Sequence, residues 1–593
     1  MKELLTGNEA VARGAYEGGA VLASAYPGTP STEILENVAN YKDDIYCEWS
    51  PNEKVALEVA IGASIAGGRA LAAMKHVGVN VAADPLFTFA YTGTNGGLIL
   101  VSADDPGMHS SQNEQDNRYY AKFAKMMMLE PADSQEAKDF TILAFELSEK
   151  FDTPVMLRLT TRICHSKGPV ELGNRQEVKI VPYEKNIPKY IATPANGKKL
   201  RVTLEERLAK MEEFSNTTEM NKVEYKDLKT GVISSGVAYQ YAREVFGEDA
   251  SYLKLGLTHP LPMDKIKEFA DKVEELYVIE ELEPYIEDQL KAAGIKCIGK
   301  EKIPAIGELN VDILRKAVFG EAYESIETEI KAVGRPPTLC AGCPHRGLFH
   351  VLTKKKNLMI TGDIGCYTLG SADPLYAMDT TICMGASIGA GHGASKVFEK
   401  YNKDMKVAAV IGDSTFFHSG ITGLMDVVYN KSNSTVIILD NRTTGMTGHQ
   451  QNPGTGYTLM GERTAEVDIP SLCKAIGIKE ENIFVVNPLR IKETHDAVDK
   501  ALATEEASVV ITKWPCVLKS FTPEDRAAFD LTESLCVINE EKCKGCNICI
   551  KLGCPAISLD RVAKLAHINE DMCNGCEVCL QVCPFNAIEK AGE

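Results

Sequence analysis

The sequence predicts a multidomain α/β protein: three parallel-sheet units in series, followed by a small cysteine-rich α+β domain. Three observations carry that expectation. Short apolar runs alternate with helical stretches, and each run ends in small or polar residues, where parallel sheets place their ligand loops. The chain has 593 residues, too many for one hydrophobic core, so it divides into domains of about 100–200 residues. Eight of its eighteen cysteines fall between Cys543 and Cys583, too local a crowd for the α/β units to absorb.

The elements follow in order. Residues 1–178 carry the runs AVLASAYPG, RALAAMKH, GGLILVSAD and TPVMLRLTT. Residues 179–335 open on a polar segment dense in Lys and Glu, from Lys179 to Glu224, read as linker with some solvated helix. A second α/β unit follows through TGVISSGVAYQYAREV, SYLKLGLTHPLP and VEELYVIEE, and RPPT marks its end. Residues 336–530 form the third unit, with strands at LMITGD, VAAVIGD, TVIILDN and ASVVITK. Residues 531–593 are the cysteine-rich tail.

Composition narrows the function classes. Hydrophobic residues make up 44% and charged residues 25%, ordinary for a globular protein. A net charge of -18 argues against a nucleic-acid partner and leaves no polybasic patch for a membrane. The start, MKELLTGNEAVARG, has no apolar signal core, and no run approaches the ~18 apolar residues of a membrane span. Eighteen cysteines in an unexported chain mean reduced thiols or metal ligands. The expected location is a reducing, anaerobic cytoplasm.

In the tail, Cys543, Cys546 and Cys549 are spaced two apart, and Cys554-Pro555 follows. Cys573, Cys576 and Cys579 repeat the spacing, and Cys583-Pro584 follows. This is the bacterial two-cluster ferredoxin run, in which the fourth cysteine of each run ligates the other cluster. Three thiolates on one tight loop cap three irons of a cube, and a distant Cys-Pro reaches the fourth. Cys543, Cys546 and Cys549 are therefore paired with Cys583, and Cys573, Cys576 and Cys579 with Cys554. Four residues separate Cys549 from Cys554 where the usual run has three, so an extra residue must loop out. Zinc knuckles or disulfides are the alternatives, but zinc sites use paired ligands and often His, and neither run contains His.

The third unit adds a second signal. The strand in VAAVIGDSTFFHSG ends at Gly412-Asp413, and STVIILDN ends at Asn441, with Arg442-Thr443 behind it. Oxygen donors at two strand ends suit one hard cation such as Mg²⁺. The pattern resembles the GDG…N motif of thiamin diphosphate enzymes, which carries the metal ligands onto Asp413, Asn441 and the carbonyl of Thr443; Ser414 replaces the last glycine. Taken alone, Gly-Asp at a strand end is also a common turn. In the first unit, NEKVALEVAIGASIAGGRA looks like the glutamate helix of thiamin pyrimidine-binding domains. Its Glu53 would be the buried carboxylate on the pyrimidine N1′, with Glu58 on the same helix as the rival. A surface helix with scattered glutamates is the alternative. AYPGTPS resembles the substrate loop of 2-oxoacid:ferredoxin oxidoreductases, with Thr29 as hydrogen-bond donor to the oxoacid.

Cys340 and Cys343 in TLCAGCPHRG, Cys366 in GDIGCYTLG and Cys516 in ITKWPCVL resemble the ligands of the proximal [4Fe–4S] cluster of that superfamily. The alternative is a structural pair with two buried thiols. Cys47, Cys164, Cys297, Cys383, Cys473 and Cys536 lack such context and read as buried cysteines.

From YPGTPSTEI through CAGCPHRG and LDNRTTGMTGHQ to the tail, the order resembles that of indolepyruvate:ferredoxin oxidoreductase α subunits. The resemblance implies two thiamin diphosphate-binding units, a transketolase C-terminal-like unit between them, and the two-cluster ferredoxin domain. It implies oxidative decarboxylation of an arylpyruvate with CoA to an aryl-acetyl-CoA, with two electrons passed to ferredoxin. It also implies a separate small β subunit and an α₂β₂ assembly. Arg118, in SSQNEQDNRYY, is one candidate for the oxoacid carboxylate, and His449 is expected near the diphosphate or substrate. Oxidoreductases for pyruvate, branched-chain oxoacids or 2-oxoglutarate remain open, as does a non-catalytic iron–sulfur electron-transfer subunit.

Overall fold

The computed structural model describes residues 1–324, 328, 330–531 and 534–592. They form two compact units, Met1–Glu329 and Ile330–Glu593.

A seven-stranded sheet organises the first unit, with Leu98–Asp104 between Ala70–Lys75 and Val155–Thr160. All seven residues of Leu98–Asp104 are buried, because helices cover both faces of a parallel sheet and strands there read as continuous apolar runs. Leu22–Ala25 and Tyr46–Trp49 extend one side in parallel. On the other side Leu257–His259 joins antiparallel to Met127–Leu129, so the 179–335 stretch lends a strand to the first sheet as well as building its own. Its own sheet has four strands, with Thr230–Ser235 between Glu275–Ile279 and Ser251–Leu255 and with Lys222–Glu224 at the edge. The buried ion pair of Arg118 with Glu280 ties the two parts, and Arg118–Asp116, Arg158–Asp104 and Arg158–Glu130 extend the network within the first.

The Lys/Glu-rich segment differs from the expected linker. Pro194–Thr217 is one 24-residue helix with Leu200, Leu204, Arg207, Met211 and Ser215 buried. Steps of four, three, four and four place these on one stripe, and Arg207 Nη1 donates to Ala90 O at 2.8 Å. The stripe was masked in the sequence by the charges between its members.

The second unit is built on a five-stranded, all-parallel sheet ordered Leu358–Thr361, Lys406–Gly412, Thr435–Asp440, Ser508–Lys513, Ile483–Val486. Gly412 pairs with Leu439, so Asp413 and Asn441 leave neighbouring strands at the same carboxyl end, where such sheets bind ligands. The tail consists of two antiparallel ladders, Cys536–Ile538 with Ile588–Lys590 and Ile557–Asp560 with Leu565–Ile568. Buried Arg346 fastens it: Nη1 donates to Leu552 O at 2.7 Å, and Nη2 to Leu339 O at 2.8 Å and Cys340 O at 2.9 Å. Among the described residues no helix is long and apolar enough to cross a membrane.

Candidate functional site: an oxygen cage beside clustered cysteines

Asp413 is 3% exposed. Its Oδ1 accepts from Ser414 N at 2.8 Å and its Oδ2 from Asn452 Nδ2 at 3.3 Å. The amide oxygen of Asn441 lies 2.7 Å from Thr443 O and 3.2 Å from Asp413 Oδ1, while Thr443 N donates to it at 3.3 Å. Turning the amide over would let its NH₂ donate to both oxygens but would lose the bond from Thr443 N. As placed, three acceptor oxygens face one another, an arrangement that a turned amide, a proton on Asp413 or a cation among them would each relieve. An octahedron with metal–oxygen bonds of about 2.1 Å has adjacent oxygens about 3.0 Å apart, so the spacing fits a small hard cation. Burial pushes the Asp413 carboxyl up to about 8, and nearby Asp440 pushes in the same direction; positive charge at this point would relieve both. Among the described residues no three His, Cys, Asp or Glu side chains converge round one ion. Here the donors are a carboxylate, an amide and a main-chain carbonyl.

The surroundings hold the cage in shape. A Cβ on Gly412 would lie 2.6 Å from Tyr367 Cε1, so only glycine lets the ring pack under the strand end. Arg442 adopts φ +58, an uncommon conformation for a non-glycine residue. Its guanidinium is locked by Asp525 at 2.9 Å and Glu466 at 2.7 Å. Thr444 N donates to Gln450 O at 3.0 Å, closing the loop that carries His449 beside Thr443.

The same loops carry cysteines. Cys516 N donates to Asn441 O at 3.0 Å, and a Cβ on Gly445 would lie 3.6 Å from Asn441 Nδ2 and 3.7 Å from Cys366 Sγ. Burial pushes the Cys343 thiol up to about 12 and the Cys366 thiol to about 11; Cys516 and Cys340 add to both shifts. Burial also raises Cys516, with Cys340 and Asp413 among its neighbouring charges. Cys340, Cys343, Cys366 and Cys516 thus lie near enough to influence one another's thiols beside the oxygen cage, although among the described residues no three of them converge to metal-binding distance.

In the tail, Cys543, Cys546, Cys549 and Cys583 line one pocket. Cys554, Cys573, Cys576 and Cys579 line another. Buried Cys536 joins the second set, a neighbour that its sequence context did not reveal. Ala341, Gly342 and Arg346 wall the same cavity, which brings the Cys340–Cys343 loop against it. The extra residue after Cys549 is taken up by a 3₁₀ turn, Ile550–Leu552, closed by Gly553 at φ +66.

The first unit presents a separate group. Glu53 opens the helix Glu53–Ile65 behind an Asn52 cap and is 4% exposed. A Cβ on Gly78 would lie 2.7 Å from Glu53 Cγ, so the next helix rests directly on this side chain. Glu58 is exposed and ion-paired with Lys54. Half-buried Thr29 sits in a turn where Ser31 N and Oγ both donate to Gly28 O, and Thr29 O accepts from Ser110 Oγ at 3.1 Å. Arg118 does not fit the role of carboxylate ligand. Its buried guanidinium is taken up by Asp116, Glu280, Glu281 O and Glu283 O, an internal network that leaves no fork for a substrate. Sequence reasoning also missed Asn452 and Lys75. Lys75 ends a buried parallel strand, a position that signals a ligand face.

Three family descriptions match the chain: "Pyruvate flavodoxin/ferredoxin oxidoreductase, thiamine diP-bdg" over residues 13–228, "Thiamine pyrophosphate enzyme, C-terminal TPP binding domain" over 363–512, and "4Fe-4S binding domain" over 566–589. Indolepyruvate oxidoreductase subunit IorA of Archaeoglobus fulgidus is 42% identical, over 94% of this chain and 93% of its own. The subunit of the same name from Pyrococcus horikoshii is 42% identical over 100% and 97%. A solved 2-oxoglutarate:ferredoxin oxidoreductase from Magnetococcus marinus superposes with a TM-score of 0.46 at 18% identity, covering 54% of this chain and 65% of that one. With thiamin-binding and iron–sulfur domains matched and near-complete coverage by those subunits, the chain belongs to the indolepyruvate oxidoreductase α-subunit family, thiamin diphosphate- and iron–sulfur-dependent 2-oxoacid:ferredoxin oxidoreductases.

Proposed function

We propose that the protein catalyses CoA-dependent oxidative decarboxylation of arylpyruvates, indolepyruvate among them. One arylpyruvate, one CoA thiol and two oxidised ferredoxins become one aryl-acetyl-CoA, CO₂, two reduced ferredoxins and a proton. The observation that carries this reading is the contact between the oxygen cage and the cysteine group, through Cys516 N to Asn441 O. A cofactor held at that cage would have an electron acceptor beside it.

Thiamin diphosphate, when bound, supplies the electron sink that lets the carboxylate leave as CO₂. Asp413, Asn441 and the Thr443 carbonyl would hold the Mg²⁺, whose charge would neutralise the diphosphate. Gly412 gives the strand end room. Glu53 holds and returns the proton at the pyrimidine N1′, and Thr29 donates to the oxoacid. Cys340, Cys343, Cys366 and Cys516 ligate the first [4Fe–4S] acceptor. Cys554, Cys573, Cys576 and Cys579 would hold a second cluster and Cys543, Cys546, Cys549 and Cys583 a third, and these would supply the path for electrons to ferredoxin. A small β subunit completes an α₂β₂ assembly in the cytoplasm, and ferredoxin is the external acceptor.

The test is turnover of the anaerobically purified α–β complex on indolepyruvate, phenylpyruvate, pyruvate, a branched-chain oxoacid and 2-oxoglutarate, with and without CoA. The reading expects arylpyruvates to give the highest kcat/KM and ferredoxin reduction to require CoA. Preference for an aliphatic oxoacid would replace the substrate class. Iron without thiamin, even after the cofactor is added, would leave only an electron carrier.

A further inference from the structure

We infer that Lys75 is the cation that receives the carboxylate of the 2-oxoacid and so orients the substrate. The inference rests on the roles proposed above for Glu53 and Thr29.

Three geometric facts place Lys75. It ends the strand Ala70–Lys75, whose neighbour Leu22–Ala25 runs straight into the loop that bears Thr29. Its stem packs under that loop: a Cβ on Gly28 would lie 3.3 Å from Lys75 Cγ and Cδ. Its Nζ donates to Ser110 O at 3.0 Å, and Ser110 Oγ donates to Thr29 O at 3.1 Å. Ammonium, serine turn and substrate loop therefore form one connected group.

The charge balance around it is incomplete. Among the described residues Lys75 has no carboxylate at ion-pair distance, and its one hydrogen bond leaves two of three donors for a ligand. Burial lowers the ammonium from its ordinary value, and Asp105 and Glu53 act in the opposite direction from farther away. Asp105 is itself engaged, accepting from Ser110 N at 2.8 Å, Ser111 Oγ at 2.7 Å and Thr161 Oγ1 at 2.6 Å. A half-buried cation without a direct counter-ion, whose ammonium reaches solvent, is open to an anionic ligand. With Arg118 fully engaged elsewhere, Lys75 is the cation linked to the Thr29 turn.

Lysine also suits a carboxylate that must depart. A group that grips the carboxylate equally in ground and transition states lowers KM without raising kcat. A bidentate guanidinium would hold the leaving group by two parallel bonds, whereas an ammonium is a point charge. Lys75→Met should therefore raise KM far more than it lowers kcat, and Lys75→Arg should keep the affinity while lowering kcat.

The experiment uses the loaded α–β complex carrying Lys75→Met, Lys75→Gln or Lys75→Arg, assayed on the oxoacid that the unmodified enzyme prefers. Thiamin and iron contents are measured alongside. Calorimetry then compares binding of the saturated carboxylate analogue of that oxoacid (3-phenylpropanoate for phenylpyruvate) with its primary amide. A charge-assisted hydrogen bond is worth roughly 10–100-fold. The expected result is a rise of that size in oxoacid KM for the Met and Gln variants, with thiamin content and CoA KM unchanged. The preference for carboxylate over amide should collapse in those two and persist in Lys75→Arg. Unchanged oxoacid KM with a collapsed kcat would overturn the proposal and make Lys75 a partner of Glu53. A raised CoA KM would overturn it in favour of a phosphate ligand. Retained carboxylate preference in both neutral variants would overturn it outright. Ranking oxoacids on the unmodified enzyme keeps the two questions apart, because an aliphatic preference would correct the substrate class and leave the Lys75 test intact.

Discussion

The five-stranded sheet and the cysteine-rich tail of the second unit solve the problem of holding a cofactor in opposite ways. The sheet is closed by aliphatic strands: Val410, Ile411, Ile437, Ile438 and Val510 are wholly buried. Its oxygen cage is braced by main-chain and side-chain hydrogen bonds to Asp413. The tail has two two-stranded ladders, and Cys536, Cys549 and Cys579 sit in its core among Leu552, Ile557 and Val578. A core that small supplies little stability, and ligated metal makes up the difference. The contrast teaches that the thiamin face is a property of the sheet, whereas the tail depends on its clusters.

The sharpest way to break that contrast is to remove iron anaerobically and follow amide exchange. The tail from about residue 540 onward should lose protection almost completely while the strands Lys406–Gly412 and Thr435–Asp440 keep theirs. Equal loss in both regions would mean that the sheet also leans on the clusters. Next in size, Glu53→Gln should retain thiamin but lower kcat by about 10²–10⁴-fold; near-normal turnover would assign the proton relay to another group. Cys516→Ala should remove about four irons and leave thiamin bound, since Asn441 is held by the main-chain N–H at 516 and not by its sulfur. Loss of thiamin together with the iron would show that cage and cluster form one structure.

A smaller effect concerns pH. The Asp413 carboxyl is raised from 3.8 to about 8 by burial and by Asp440, so the cation-free protein carries a proton there. That raised value favours the folded state at low pH, and the advantage fades as pH climbs through about 8. A cation taken up by the proposed cage would have to displace the proton, so Mg²⁺ affinity should rise by up to about tenfold per pH unit below that point and level off above it. A flat Mg²⁺ affinity between about pH 6 and 8 would place the cation elsewhere. Smallest of all, Arg346→Met should weaken the attachment of the tail by about 2–3 kcal/mol, seen as faster exchange around Leu552 with the sheet unchanged.

How much of this was legible in the sequence followed how local each signal was. The cysteine runs of the tail are spaced by a few residues, and each paired set lines one pocket, the second with Cys536 besides. Gly412-Asp413 and Asn441 sit at the ends of apolar strands, so their meeting needed only parallel register. Arg118 was misjudged because its partner Glu280 lies 162 residues away, and a loop arginine carries no sign of such a partner. Lys75 went unnoticed for the same reason: its significance comes from the Thr29 turn and Ser110, which tertiary structure brings to it. The strand Leu257–His259 is three residues long, too short to announce that it completes a sheet begun more than a hundred residues earlier.

The central claim, a preformed cation cage that holds thiamin independently of the clusters, is tested most directly by thiamin and iron content in Asp413→Ala. The variant should bind no thiamin or Mg²⁺ at concentrations that saturate the unmodified protein, while keeping its full iron content. Thiamin content equal to that of the unmodified protein would contradict the account and move the cofactor away from this cage.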